Sequence, residues 1–363
     1  MRQAVLLGNP DTKRTSYFGQ AAAGRLPVLL ADWKGWREQL PEGNMILKID
    51  PPLWESCALE ELEELTEDYI VRLMELSYLG LNGRAEFFNH PKAIANLLDK
   101  RACKLRLMEA GVPVTEPLKT DTCLLWRSGT KNLPGPLKHD KVIKNCREEQ
   151  NVEELITLME KERVNQVFVK PVKGSGAAGV VAFRRQPATG QMALYTCCLL
   201  HPEFGLVNTK RLRRLSEPGE IFTLLEAVLQ MDCLVERWYA KPQYLGFSYD
   251  LRAVFQEGKM DFLLARLSKG PITNLHLNNH PVSAAQLGLP VSVMESVINV
   301  CQKAMECFQG LRSAGIDLLL EKGSQKPRII EMNAQGDLIY QDIYNQNIIY
   351  SHQVEIIKRY VEV

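Results

Sequence analysis

Three features are missing from this chain: a long hydrophobic run, a large net charge of either sign, and a cysteine pair at metal-binding spacing. No apolar stretch reaches bilayer length. The opening MRQAVLLGNPDTKR is too poor in apolar residues for a secretory leader and is expected to be a first strand entering a turn. A formal charge of +1 over 363 residues excludes a general electrostatic attraction to nucleic acid or anionic membrane. The nine cysteines stand singly apart from Cys197 and Cys198, without any Cys-x-x-Cys, and the six histidines are dispersed. That pattern excludes a zinc finger or ribbon and leaves buried thiols in a reducing, cytoplasmic setting as the expectation. No Gly-Lys precedes a Ser or Thr in a phosphate-loop pattern, and no internal repeat or low-complexity tract is present.

What is present is an ordinary globular composition, 45% apolar and 24% charged, on a chain long enough for two or three domains. AVLLGNP and LPVLLADW read as strands, and LEELEELTEDYIVRLMELSYL reads as an amphipathic helix with acidic early turns. Residues 1–85 are therefore expected to form an α/β domain with a small parallel sheet. Asn89-His90-Pro91 reads as a helix start, with Asn89 as the cap. The helical pattern continues through LLDKRACKLRLMEAG and stops at Gly111. WRSGTKNLPGPLKHDKV reads as an exposed connection, NVEELITLMEKE as a helix, and the basic cluster KRLRRLSEPGE as a lead into the helix IFTLLEAVLQ. CLVERW, DLRAVFQ, MDFLLARL, GIDLLL and RIIEMN read as strands, followed by a closing helix SHQVEIIKRYVE. The long acidic helix also has the length to serve a homodimer interface.

The stretch VFVKPVKGSGAAGVV combines an apolar strand ending in Lys170 with a loop holding Gly174, Ser175, Gly176 and Gly179. Glycines accept positive φ and close backbone approach, so such a loop can fold over a triphosphate. The plainer alternative is a Gly-rich hairpin turn beside a surface lysine.

GIDLLLEKGSQKPRIIEMN reads as two antiparallel strands about a polar turn. Glu331 and Asn333 share a face, and a hairpin symmetric about Ser324 puts Asp317 opposite Glu331. Two carboxylates and an amide oxygen on apolar strands are hard ligands suited to Mg²⁺. A solvated edge hairpin is the alternative. Asp250 and Arg252 share a face of their strand, and Arg266 on the next strand can face the same cavity. These arginines suit a transferring phosphoryl group or a substrate carboxylate, or else a structural ion pair with Asp250 or nearby acids. Lys210, Arg211, Arg213 and Arg214 form a basic run that suits a solvated face or a lid edge; the near-neutral chain argues against nucleic acid.

In order and spacing, Lys170 with its glycine loop, the LVERW strand, the D-x-R strand and the ID…IIEMN hairpin resemble the ATP-grasp superfamily of carboxylate–amine ligases. LLDKRACKLRLMEAGVPV resembles its entry element. GNPDTKR and GPITNLHLNN resemble a bacterial subfamily, without bringing a substrate. The resemblance implies an α+β ATP-grasp fold behind the N-terminal α/β domain, with the nucleotide clamped between two antiparallel sheets. It implies a lid subdomain over 121–236 and a metal-bearing subdomain from 86–120 and 237–363. It further implies that Lys100 and Lys170 contact ATP and that the 174–179 backbone covers its phosphates. Glu236, Trp238 and Tyr239 would form the adenine hinge. Asp317, Glu331 and Asn333 would hold two Mg²⁺ ions (Mn²⁺ serving as substitute), Arg252 and Arg266 would act at the phosphoryl group, and Asn274 would line the substrate side.

Departures stand at Asn278-Asn279, where a Gly-Gly pair is common, and at Ala334-Gln335-Gly336-Asp337, where a proline is frequent. Gly315 replaces an arginine found in some ligases. The implied reaction takes a small-molecule or peptide carboxylate through an acylphosphate to an amine acceptor. A phosphotransferase and a non-catalytic nucleotide-binding protein remain open at this stage.

Overall fold

A computed structural model describes residues 2–118, 151–174, 176–277, 279–335 and 346–362. The expected connection over 126–142, and the residues Ser175, Asn278, Gly336 and Asp337, lie outside them. The chain divides into two compact units, one of residues 1–115 with 239–363 and the other of residues 116–238.

The first unit begins with β1 (Gln3–Gly8), α1 (Lys13–Ala22), β2 (Val28–Asp32), α2 (Trp36–Gln39), β3 (Met45–Ile49), α3 (Leu59–Leu81) and β4 (Ala85–Phe87). The four strands are parallel in the order β2-β1-β3-β4. A parallel sheet covered on both faces needs apolar residues at odd and even positions. Ala4, Leu6 and Ile46 pack with Phe18 and Tyr350, whereas Val5, Leu7 and Leu47 join Tyr69 and Leu73 of α3. Thr12 caps α1 by accepting the Thr15 N–H.

The single helix expected after Asn89 is two helices, α4 (Pro91–Leu98) and α5 (Lys100–Glu109). Asp99 divides them: its carboxylate accepts the N–H groups of Arg101 and Ala102, which caps α5. His90, not Asn89, caps α4. Asn89 is buried instead. It donates to Ser313 O and Ala334 O and accepts from the N–H groups of Arg312 and Ser313. The chain turns out of α5 at Gly111, with φ +71°.

The same unit holds β10 (Gln243–Tyr244), β11 (Phe247–Gln256), β12 (Lys259–Ser268), β13 (His280–Ser283), α8 (Val291–Glu306), β14 (Ser313–Leu320), β15 (Pro327–Asn333) and α9 (Ile348–Val361). These strands form an antiparallel sheet ordered β13-β12-β11-β14-β15, with β10 paired to β11. Every residue of β14 is buried, and one apolar cluster runs from Leu7 and Tyr69 to Leu251, Ile316 and Met332. Burial of each large aliphatic side chain there contributes roughly 1.5–3 kcal/mol, which anchors the polar residues between them.

The second unit contains α6 (Val152–Lys161), β5 (Gln166–Pro171), β6 (Val181–Arg185), β7 (Met192–His201), β8 (Gly205–Leu215), α7 (Pro218–Leu229) and β9 (Cys233–Arg237). Its antiparallel sheet runs β8-β7-β6-β5-β9 over a core that includes Val167, Val169, Phe183, Ile221 and Leu225. The basic run lies within the edge strand β8, ahead of α7. Among the described residues, no helix is long and apolar enough to cross a membrane.

Candidate active site

The β14–β15 hairpin pairs Gly315 with Asn333 and Asp317 with Glu331. These pairs are symmetric about Ser324, as expected. From Leu318 onward the register slips by one, so that Leu318 faces Ile329. The bulge takes up Ile330 and leaves both carboxylates at directly opposed positions. At the far end Gly323, φ +94°, makes the turn.

Asp317 is nearly buried, and both of its carboxylate oxygens are engaged. The Arg252 guanidinium donates to Oδ1, and Arg266 Nη1 donates to Oδ2 at 3.0 Å. The strand pairing explains the meeting: Arg252 faces Asp317 across β11–β14, and Asp250 faces Arg266 across β11–β12. Arg266 Nε donates to Asp250 Oδ1 at 2.7 Å. The other Asp250 oxygen receives Lys241 Nζ at 3.2 Å and the Thr273 hydroxyl. Lys241 also donates to Pro271 O and Thr273 Oγ1. Burial alone pushes the Asp250 carboxyl up, but Arg266, Lys241 and the Thr273 hydroxyl outweigh it and hold the group down at about 2. The result is a chain of alternating charge, Lys241–Asp250–Arg266–Asp317–Arg252.

Glu331 is the open end of this arrangement. Its side chain is 37% exposed, with Lys100 Nζ 3.8 Å from Oε1. Lys100 is the first residue of α5, directly after the Asp99 cap. Asn333 Oδ1 accepts the Gln335 N–H at 2.9 Å. Buried Lys104 donates to Thr115 Oγ1 at 2.7 Å and to Ile330 O at 2.9 Å, which fixes β15 beside the bulge. Among the described residues there is no group of three or more His, Cys, Asp or Glu that could hold a metal ion. The hairpin offers a different donor set, two carboxylates and an amide oxygen, and hard oxygen ligands of this kind fit Mg²⁺. Asn274 follows Thr273 in the loop between β12 and β13, and its carbonyl accepts Asn279 Nδ2 at 2.8 Å.

In the second unit, Lys170 Nζ and Glu236 Oε2 form a buried ion pair at 2.6 Å. Phe168 pairs directly with Glu236 across β5–β9, so Lys170 reaches its partner diagonally. Lys170 also lies over the Phe168 ring, which packs 5.4 Å from Trp238, and Tyr195 meets Trp238 edge-on. Both backbone polar groups of Trp238 engage Gln166: its N–H donates to Gln166 O, and its carbonyl accepts Gln166 Nε2. Tyr239, the first residue of the returning segment of the other unit, lies under the Arg328 guanidinium at 4.6 Å.

The loop glycines take left-handed backbone: Gly174 at φ +115°, Gly176 at +66° and Gly179 at +73°, with Ala177 at +64° between them. A Cβ at Gly174 would meet nothing within 4 Å, so conformation and not space demands glycine there.

The structure thus brings Arg252, Arg266, Asp317, Glu331, Asn333 and Lys100 together in one unit, with Asn274 next to Thr273. It brings Lys170, Glu236 and Trp238 together in the other unit, which also carries the glycine loop. Both arginines are occupied with carboxylates, Arg266 with Asp250 and Asp317 and Arg252 with Asp317, which are the ion pairs that the sequence left as an alternative. Lys241, Thr273, Lys104 and Gln335 were missed. They lie in turns or on a helix, without a periodic pattern to single them out.

No protein-family model matches this chain, and no curated protein matches it. Solved structures do. The ATP-grasp ligase PsnB, complexed with minimal precursor, is 14% identical with a TM-score of 0.55, covering 99% of each chain. D-cycloserine synthetase DcsG is 10% identical with a TM-score of 0.57, covering 98% of this chain and 99% of that one. D-alanine–D-alanine ligase from Bacillus anthracis, complexed with ATP, is 12% identical with a TM-score of 0.51, covering 99% and 98%.

Proposed function

We propose that this chain, whose fold is that of the ATP-grasp ligases, is an ATP- and Mg²⁺-dependent ligase joining a carboxylate to an amine. The observation that carries the reading is the register-matched trio Asp317, Glu331 and Asn333, with two guanidinium groups on Asp317.

Asp317, Glu331 and Asn333 would hold Mg²⁺. When bound, the metal supplies charge neutralisation at phosphate oxygens. Lys100 and Lys170 would contact ATP, and the 174–179 backbone would cradle its phosphates. Glu236, Trp238 and Tyr239 would serve the adenine ring, with Trp238 as apolar packing because its backbone groups already engage Gln166. The substrate carboxylate oxygen attacks the γ-phosphorus and ADP leaves. The amine then attacks the acyl carbon, phosphate leaves, and the nitrogen loses its proton. Arg252 and Arg266 place fixed positive charge beside the metal carboxylate where charge develops during phosphoryl transfer. Asp250, with Lys241 and Thr273 behind it, orients Arg266 for that work. No nucleophilic Ser, Cys or His is required.

The substrate is a small-molecule or peptide carboxylate, with Asn274 on the substrate side. One solved neighbour, the macrocyclase MdnC, is bound with a precursor peptide, which supports including peptides. The test incubates the protein with ATP and Mg²⁺ across pooled amino acids, short peptides and small carboxylates, and reads products by mass spectrometry. A ligase yields ADP, free phosphate and a condensed product, whereas a phosphotransferase leaves phosphate on the acceptor. Glu331→Ala is expected to cut turnover at least a hundredfold, the scale set by loss of one strong electrostatic contributor. Unchanged turnover in that variant would remove the metal assignment.

A further inference from the structure

Just past Asn333 the chain is held by an unusual number of hydrogen bonds, all within the first unit. The peptide joining Ala334 to Gln335 is fixed at both ends. Asn89 Nδ2 donates to its carbonyl at 2.8 Å, and its N–H donates to Asn333 Oδ1 at 2.9 Å. The next carbonyl, Gln335 O, accepts Arg14 Nη1 of α1 at 2.8 Å. The Gln335 side chain reaches back to the parallel sheet. Its Nε2 carries two hydrogens and has two acceptors, Ile49 O at the end of β3 and the Tyr69 hydroxyl oxygen of α3, each at 2.8 Å. Gln335 and Tyr69 are both buried, and burial raises the Tyr69 phenol, so its oxygen stays a neutral acceptor. Three elements of the N-terminal α/β region, α1, β3 and α3, thus converge on one residue two places beyond Asn333.

We propose that Gln335 is a positioning residue for the metal site: its side chain, bonded to Ile49 and Tyr69, holds the peptide whose N–H fixes the orientation of the Asn333 amide. The inference rests on the reading of Asn333 as a Mg²⁺ ligand given above. An amide side chain has two ends of nearly equal shape, and its hydrogen-bond partners decide which end faces which way. A backbone N–H can only donate, so the end of Asn333 that meets Gln335 is the oxygen. That oxygen has two lone pairs. One accepts the Gln335 N–H, and the other can meet a hard cation. Without the Gln335 amide, the buried Ile49 carbonyl and Tyr69 hydroxyl lose a donor, and the 334–335 peptide loses one of its anchors to the parallel sheet. A proline is frequent in this stretch of the family that the sequence resembles, and its ring stiffens the backbone. Here hydrogen bonds from a glutamine supply the stiffness. Groups that orient a metal ligand typically govern about 10–100-fold in metal affinity.

The experiment follows Mn²⁺ binding to the full chain with ADP present, read from the electron paramagnetic resonance of the free ion after subtracting the Mn²⁺–ADP complex formed without protein. Wild type is compared with Gln335→Met, Tyr69→Phe and Glu331→Ala, and ADP binding in EDTA is measured on each by calorimetry. Methionine keeps the length of Gln335 and donates nothing; phenylalanine keeps the ring of Tyr69 and removes one acceptor. Gln335→Met is expected to weaken Mn²⁺ binding about tenfold. Tyr69→Phe, which loses one of the two side-chain bonds, is expected to weaken it roughly threefold, half of that effect in free energy. Metal-free ADP binding stays as in wild type for both. Wild-type affinity for Mn²⁺ in these two variants overturns the proposal. So does an equal loss of Mn²⁺ and metal-free ADP binding, the mark of a general loosening of the fold. Where Gln335→Met fails to fold, Tyr69→Phe decides by the same readings. If wild type binds no Mn²⁺, or Glu331→Ala binds it equally well, the metal reading of the hairpin falls and this inference with it. If Glu331→Ala loses Mn²⁺ while Gln335→Met keeps it, only the positioning role falls.

Discussion

Asp250 shows how a single buried charge can organise its surroundings. Its carboxyl sits at about 2 in the folded protein against an ordinary 3.8, because Arg266, Lys241 and the Thr273 hydroxyl outweigh burial. A depressed carboxyl contributes stability that is fully present above its unfolded value and is lost as pH falls through the folded one. The window here lies between about pH 4 and pH 2, and the contribution is on the order of 2 kcal/mol. Acid unfolding of the wild type should steepen in that window, and Asp250→Asn should flatten it. Denaturant titrations at stepped pH measure this, and an unaltered slope in the variant would refute the assignment. Kinetics give a second readout: a positioning role through Arg266 predicts that Asp250→Asn lowers kcat while the KM for ATP stays nearly constant. At this scale the sequence was informative about identity. Asp317, Glu331 and Asn333 were legible because oxygen donors interrupt strands of Ile, Leu and Met. Lys241 was not, because a lysine in a turn carries no pattern until Asp250 is seen beside it.

Among the elements, the β14–β15 hairpin depends on a residue far from it in sequence. Asn89 holds the start of β14 through Ser313 and the exit of β15 through Ala334, using both its donor and acceptor atoms. Asn89→Ala leaves several buried backbone groups unsatisfied, each costing about 1–3 kcal/mol. A stability loss of roughly 3 kcal/mol or more by urea unfolding is expected, with His90→Ala milder because it removes a helix cap and an edge contact to Phe87 but leaves no such set of buried backbone groups unpaired. Equal losses in the two variants would mean that Asn89 acts merely as part of the helix start. Asn89 has the residue type of a helix cap and stands two residues before Pro91, but the residue directly before the proline, His90, takes that place. The acceptor pair that claims its side chain lies more than two hundred residues away. The register slip after Asp317 was hidden for a related reason: alternation of side chains specifies a face but does not reveal where one residue is left over.

For the molecule as a whole, the two compact units carry separate apolar clusters, one containing Leu251 and Ile316 and the other Ile221 and Leu225. Calorimetry should resolve two transitions, and Ile221→Ala should lower only one, by the 2–5 kcal/mol typical of such truncations. ATP with Mg²⁺ at a hundredfold excess over its Kd should stabilise the native protein by about 2.7 kcal/mol, read as a rise in Tm. Absence of any rise at saturating nucleotide would remove ATP as a ligand. The sequence by itself determined the alternation of elements, the glycine loop and the oxygen donors, because periodicity and backbone freedom are local properties. The tertiary structure alone decided which arginine meets which carboxylate and what Asn89 holds. Those outcomes depend on lateral strand pairing and on bulges, which bring together residues that no local pattern connects.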